Sequence, residues 1–523
     1  LSWQQKISLL AFALCTFASV NAQLFAPQIP ISWRANISPL DVFPTTILSP
    51  VDVNALILED LAHEDEKNRT FRYAYKHEVD FSLNESGRWK NLENGDRIWR
   101  MGIKSEGALA LNVTFSDFHL AKGASVFIYN EDRSEILGAL TNENNKPTRI
   151  LGTTPISGNK IIVELYEPFN SRGMNSLRIR SVAHVYRNYN DNSKSFGNST
   201  SCNLDVECLV EKNSKEISSS IVLISIEDGT HWATGTMINN TNDDGRPLLL
   251  TSNKTLQGDP EAWVFYFNLL SIDCSLNAGK SSPLGRSLSG AQVIASSEEN
   301  HFALLELFQL PPYEWGIHLA GWEREAGFVE DAKSIHHPGG DSKKYAESHS
   351  ILQTNTDFYN VSWDQGITEQ GSIGAPLLSG QSKLIGWLED GSSECGHTGS
   401  DLYFKLSEAW DGESSATRLS DWLDPGDTGV NEANRLFPER AYAQSIATDD
   451  NLVLYPIPAS TVLQVYYKGN GLIKSLYIVD LSGRIVKSAS DLGHIDVSDL
   501  PRGSYIFRFE STSETIVRKI ILD

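Results

Sequence analysis

At 523 residues with 40% hydrophobic content, the chain is core-forming protein and too long for one ordinary domain, so roughly three to four units are expected. A net charge of −22 excludes a general nucleic-acid binder, which needs a basic face to neutralise phosphates. Solubility is a sufficient reason for that acidity.

In chain order, residues 1–22 read as an export signal. Lys6 precedes the apolar run ISLLAFALCTFASV, and Val20-Asn21-Ala22 offers small residues for cleavage before Gln23. No later apolar run reaches the ~18 residues a membrane-spanning helix requires, so no transmembrane segment is expected. From 23 to 192 short runs with alternating apolar residues, such as ALALNVTFSDF, ASVFIYNED, KIIVELYEP and LRIRSVAHVY, predict an antiparallel β-sandwich. The polar stretch 188–201 reads as a linker.

A second strand-rich unit covers 200–430, with ISSSIVLISI, RPLLLTS, AWVFYFNLL, HFALLELF and KLIGWLED, and one helix expected at ATRLSDWL. A polar linker follows at 431–451. The last unit, 452–523, carries LVLYP, LQVYYK, SLYIVDL, SYIFRF and TIVRKIIL and is expected to be a small β-sandwich, near the lower size limit for independent folding. The fold class expected is all-β throughout.

Of five cysteines, Cys15 falls in the signal, leaving Cys202, Cys208, Cys274 and Cys395. An even number in an exported chain points to disulfides, with three pairings open. None has CxxC spacing, so no metal site and no cofactor is expected.

The stretch TEQGSIGAPLL, 368–378, has the Gly-x-Ser-Gly-x-Pro frame of a serine-protease nucleophile loop, with Ile373 where the serine would stand. The surrounding unit resembles the trypsin-like serine endopeptidases, most closely the lysyl endopeptidase branch. SCNLDVEC, TGTMINNTNDDGRPLLLT, AWVFYFN, FALLEL, AGWERE, IHHPGGDSKK, SWDQGITEQGS and SATRLSDWLDPGDTGV carry the likeness in order. The resemblance implies a double β-barrel.

It also implies where a catalytic triad would lie. The family's histidine follows a Leu-Thr-Ala-x run, here Leu250-Thr251-Ser252-Asn253, and that position is Lys254. The carboxylate precedes the Phe-x-Leu-Leu-Glu-Leu strand, and that position is His301. The serine position is Ile373. Acyl transfer needs a nucleophile, a base and a carboxylate that orients the base, so the expectation is an inactive homologue. A Ser372–Lys254 dyad is disfavoured, because the elbow aims the following side chain and a basic lysine would have to be neutral.

The resemblance implies disulfides Cys202–Cys395 and Cys208–Cys274, while a third family bridge is absent at Ala233 and Thr255. It places Asp401, in Ser400-Asp401-Leu402-Tyr403, at the base of a lysine pocket. Gly371 falls in the oxyanion frame. His336-His337 is structural in the family, which argues against a metal there. The N-terminal unit resembles the pro-region of such proteases in Bacteroidetes. The C-terminal unit, with LYPIPAS and LPRGSYIFRF, resembles the sorting domain of the type IX secretion system, which implies that machinery as a partner and a secreted or surface location. The function expected is a binding or scaffold protein, with a lysine-bearing peptide or protein as a possible ligand. An endopeptidase with non-standard residues and a peptide-capturing decoy stay open as alternatives.

Overall fold

The computed structural model describes residues 29–34, 43–187 and, with short gaps, 189–437 and 452–522; the export signal expected at 1–22 lies outside the described residues. The fold is all-β. In the N-terminal unit a six-stranded sheet centred on Arg97–Lys104, Lys160–Glu167 and Ser125–Asn130 meets a five-stranded sheet containing Ala110–His119, Ser176–Val185 and Ala74–Ser82. Period-two alternation decides which face is inside. Met101 and Ile103, Ile161, Val163 and Leu165, and Val113 and Phe115 all point into one shared core.

The middle unit consists of two curled sheets, as expected for a trypsin-like double barrel. The first includes Ile221–Ile226, His231–Met237, Leu248–Ser252, Val264–Phe267 and Phe302–Leu307. The second includes Ala332–His336, Pro376–Leu378, Leu384–Gly391 and Asp401–Lys405. Disulfides join Cys202 to Cys395 and Cys208 to Cys274. The C-terminal unit is a three-stranded and a four-stranded sheet enclosing its own core of Leu463, Leu476, Phe507, Phe509 and Ile520.

The first two units are not beads on a string. Strand Phe71–Arg72 of the N-terminal unit pairs antiparallel with His231 and Trp232 of the first barrel sheet. Leu223, Trp232, Val264 and Tyr266 of that barrel belong to the same hydrophobic cluster as the N-terminal sheets.

Two expectations need correction, and one element was not expected. Part of the linker expected at 431–451 is structured: Glu432–Ala433 pairs with Trp322–Glu323, and Leu436 is buried against Leu319. Two apolar side chains at strand spacing outweigh a polar average. The helix expected at ATRLSDWL is only Ser420–Leu423. A nine-residue helix, Val53–Leu61, went unread from sequence. Asp52 caps it by accepting from Ala55 N at 3.0 Å, a preferred N-cap residue type.

Candidate functional site

The loop between strands Phe358–Val361 and Pro376–Leu378 is held by both barrels. Gly371 and Gly374 adopt φ of 88° and 81°, a left-handed region that disfavours a side chain. A Cβ on Gly374 would lie 2.1 Å from Thr251 Oγ1 and 2.5 Å from the Thr234 carbonyl, so the loop presses directly on the first barrel. Thr234 locks the contact, its N–H donating to Ile373 O at 3.1 Å and its hydroxyl to Gly371 O at 2.9 Å.

Ile373 is fully buried in the first barrel's apolar cluster with Ala233, Leu249 and Ala303. It offers no atom for nucleophilic attack. Lys254 lies in the turn Asn253–Thr255 that ends strand Leu248–Ser252. His301 immediately precedes Phe302–Leu307, and its carbonyl accepts from Trp387 Nε1 at 2.8 Å.

The fold brings Lys254 and His301 together through Glu389, which sequence reasoning treated only as part of a strand. Lys254 Nζ lies 3.3 Å from Glu389 Oε2 and donates to the Glu389 carbonyl at 2.9 Å; His301 Nδ1 lies 3.4 Å from Oε2. The Glu389 side chain is only 2% exposed. A buried carboxylate needs compensating charge, and here the Lys254 ammonium and the His301 imidazole converge on it. The Lys254 ammonium is thus committed to Glu389, not to Asp401.

Asp401 is fully buried and heavily coordinated. Its Oδ2 accepts from Trp363 Nε1 at 2.6 Å, Thr368 Oγ1 at 2.8 Å and Ser393 Oγ at 2.8 Å, and its Oδ1 from Ser393 N at 3.2 Å. The remaining contact comes from the N-terminal unit: Lys67 Nζ lies 3.2 Å from Oδ1 and also donates to the carbonyl and hydroxyl of Ser393. Burial pulls the Lys67 ammonium below the usual lysine range, and Asp401 opposes that shift.

Residues 196–404 match the family described as lysyl endopeptidase, C-terminal domain, and residues 453–523 match the secretion system C-terminal sorting domain. A lysyl endopeptidase of Pseudomonas aeruginosa is 27% identical over 355 residues, 61% of this chain and 73% of that protein. A crystal structure of Rv3671c from M. tuberculosis, in an inactive mutant form, shares 17% identity and a TM-score of 0.27 over 39% of this chain and 90% of its own, too low to bear on the comparison. The sorting domain implies handling by a type IX secretion system and export to the medium or the cell surface. No helix among the described residues is long and apolar enough to cross a membrane.

Within this lysyl endopeptidase-like domain, Ser372 meets His336 rather than Lys254. Its hydroxyl is hydrogen-bonded to His336 Nδ1 at 2.7 Å and accepts from Glu369 N at 3.2 Å. Both residues are fully buried. His337 Nδ1 contacts the Asp341 carbonyl at 2.8 Å. Burial pushes both imidazoles down to about 3. Among the described residues no group of three or more His, Cys, Asp or Glu is placed to hold a metal.

Sequence reasoning named Lys254, His301, Ile373, Gly371 and Asp401. It missed Lys67, Glu389 and the Ser372–His336 pair. Lys67 sits in AHEDEKNRT, where a lone lysine among acids gives no signal of a long-range contact. The unusual feature that was legible is Glu389, an acid inside the apolar run LIGWLE, since a carboxylate at a core position demands a partner.

Proposed function

We propose that the chain is a catalytically inactive lysyl endopeptidase homologue, exported through its sorting domain, that works as a binding or scaffold protein. The observation that carries this reading is Ile373: the residue in the nucleophile position is apolar and fully buried. The histidine and carboxylate positions support it, because Lys254 and His301 both engage Glu389. A histidine in the carboxylate position brings no negative charge to stabilise an imidazolium. Loss of a single triad member already removes several orders of magnitude of turnover.

Incubation with a lysyl ester and with a fluorophosphonate probe tests this. The expected result is hydrolysis at buffer background and no labelled serine. Stoichiometric labelling, at Ser372 or elsewhere, would replace this reading with that of an endopeptidase using non-standard residues. A peptide-capturing role is the second reading, favoured by one observation: the Asp401 carboxylate is held by Trp363, Thr368 and Ser393, an arrangement that recognises a cation without any need for catalysis.

A further inference from the structure

Strands Ala332–His336 and Lys344–Ser348 pair antiparallel, with Lys333 opposite Glu347. His336 ends the first of them against Ser372 of the Ile373 loop. At the opposite end, away from that loop, lies a cavity of about 190 Å³. A volume below the ~300–1,000 Å³ of sites for whole small molecules suits a single side chain. Glu211, Asp331, Lys333, Ser348, His349 and Ser379 are among the residues that border it.

The polar groups here are unevenly satisfied. Glu211 accepts from Lys333 Nζ, and from Ser214 Oγ at 3.0 Å, so the lysine ammonium is already committed. Glu347 is only 15% exposed, yet its Oε2 lies 4.0 Å from Lys333 Nζ and its Oε1 3.7 Å from His349 Nε2. Both separations exceed hydrogen-bond length. Ser348 is 1% exposed, and its hydroxyl has no hydrogen-bond partner among the described residues; the Ser379 hydroxyl has none either. A largely buried carboxylate and buried hydroxyls left in this state call for a polar ligand.

The imidazole of His349 shows the form that ligand takes. Its Nδ1 lies 3.0 Å from Asp331 Oδ1 while its Nε2 faces Glu347, so one planar ring spans two carboxylates. The hydrogen bond to Asp331 and the charges of Glu347 and Asp364 hold it above the usual histidine range. The ring is 57% exposed and Asp331 65%, and an ion pair so exposed is weak and yields to a competitor. Around the cavity the carboxylates of Glu211, Asp331, Glu347 and Asp364 outnumber the cations Lys333 and His349. A guanidinium is planar, permanently charged and carries five N–H donors in a fork, whereas an ammonium is a point charge. It can serve Glu347 bidentately and present its remaining donors to a second acceptor.

We propose that this cavity binds an arginine side chain of a partner polypeptide, whose guanidinium takes the place of the His349 ring between Glu347 and Asp331. The site lies apart from the Ile373 loop, so it does not depend on whether the chain is inactive. The full chain is titrated by calorimetry with acetyl-Gly-Arg-Gly-amide and with its citrulline and lysine analogues. The arginine peptide is expected to bind about tenfold or more tightly than either analogue, and Glu347→Gln should remove that preference. On the unaltered chain, saturating arginine peptide should shift the His349 Hε1 resonance in the proton NMR spectrum. That measurement does not depend on the folding of any variant. Equal affinity for the arginine and citrulline peptides would overturn the site, as would an unmoved His349 resonance. Equal affinity for the lysine peptide would overturn the guanidinium assignment, and a preference unchanged in Glu347→Gln would place the arginine elsewhere and refute the proposal.

Discussion

Tyr73 and Trp232 stack with ring centroids 4.1 Å apart and planes 8° from parallel, and this pair lies across the junction of the N-terminal unit and the first barrel. Tyr73 also reaches Ser225 through its hydroxyl at 3.2 Å. Both rings are fully buried, so the surfaces they cover belong to one continuous core. The first prediction follows. Trp232→Ala should destabilise the two units together by about 3–5 kcal/mol, the usual range for a buried tryptophan truncation. Differential scanning calorimetry is expected to show one joint transition for these units, moved down by the substitution, and a C-terminal transition that stays in place. Separate transitions for the N-terminal unit and the barrel would contradict the shared core.

Restoring the nucleophile alone should fail. Ile373→Ser supplies a hydroxyl, but Lys254 is engaged with Glu389, and in the proposed reading no imidazole occupies the base position. Fluorophosphonate labelling of Ile373→Ser is expected to stay at background. Rapid labelling would mean that a base has been overlooked.

Acid should weaken the fold through His336 and His337. Both are buried and neutral down to about 3, whereas their ordinary value is 6.5. Between those limits the unfolded chain takes up protons that the native state refuses, so stability is complete above about pH 6.5 and declines as pH falls towards 3. Each pH unit inside the window is worth up to about 1.4 kcal/mol per histidine. Urea unfolding at about pH 7 and about pH 4.5 measures the loss, and His337→Gln should reduce its size. An unchanged midpoint at the lower pH would contradict the neutral assignment.

Both disulfides close long loops, with sequence separations of 193 and 66. In a chain-entropy model each restrains the unfolded state by roughly 4 kcal/mol. Non-reducing peptide mapping should recover Cys202–Cys395 and Cys208–Cys274. The paired replacement of Cys208 and Cys274 by alanine should lower stability without changing the other linkage.

Deletion of 452–523 should leave the rest folded, since the tail encloses its own core, and should hold the protein in the periplasm. Cell fractionation with antibody detection checks this. Arrival of the shortened chain at the surface would refute the sorting role.

Strand identity and domain order were legible because period-two alternation and turn residues are local properties. KIIVELYEP became Lys160–Glu167 and KLIGWLED became Leu384–Gly391. Motif order located Asp401 and the Ile373 loop, because a sharp glycine turn must be encoded where it occurs. Contacts set by tertiary packing left no such mark. Nothing near Lys67 in sequence reports a partner 334 residues away, and nothing beside Glu389 reports that Lys254 and His301 will meet it. The union of the first two units was hidden for the same reason: Trp232 reads as an ordinary barrel residue until a second sheet is laid against it.

Because Lys67 belongs to the molecule that receives it, its competition with other lysines is a matter of effective concentration. A short tether presents its ligand at a level on the order of millimolar. Free lysine and stray peptides at lower concentration are therefore excluded by mass action even when their contacts equal those of Lys67. The tie between Lys67 and Asp401 is thus held at a local concentration that dilute cations do not match.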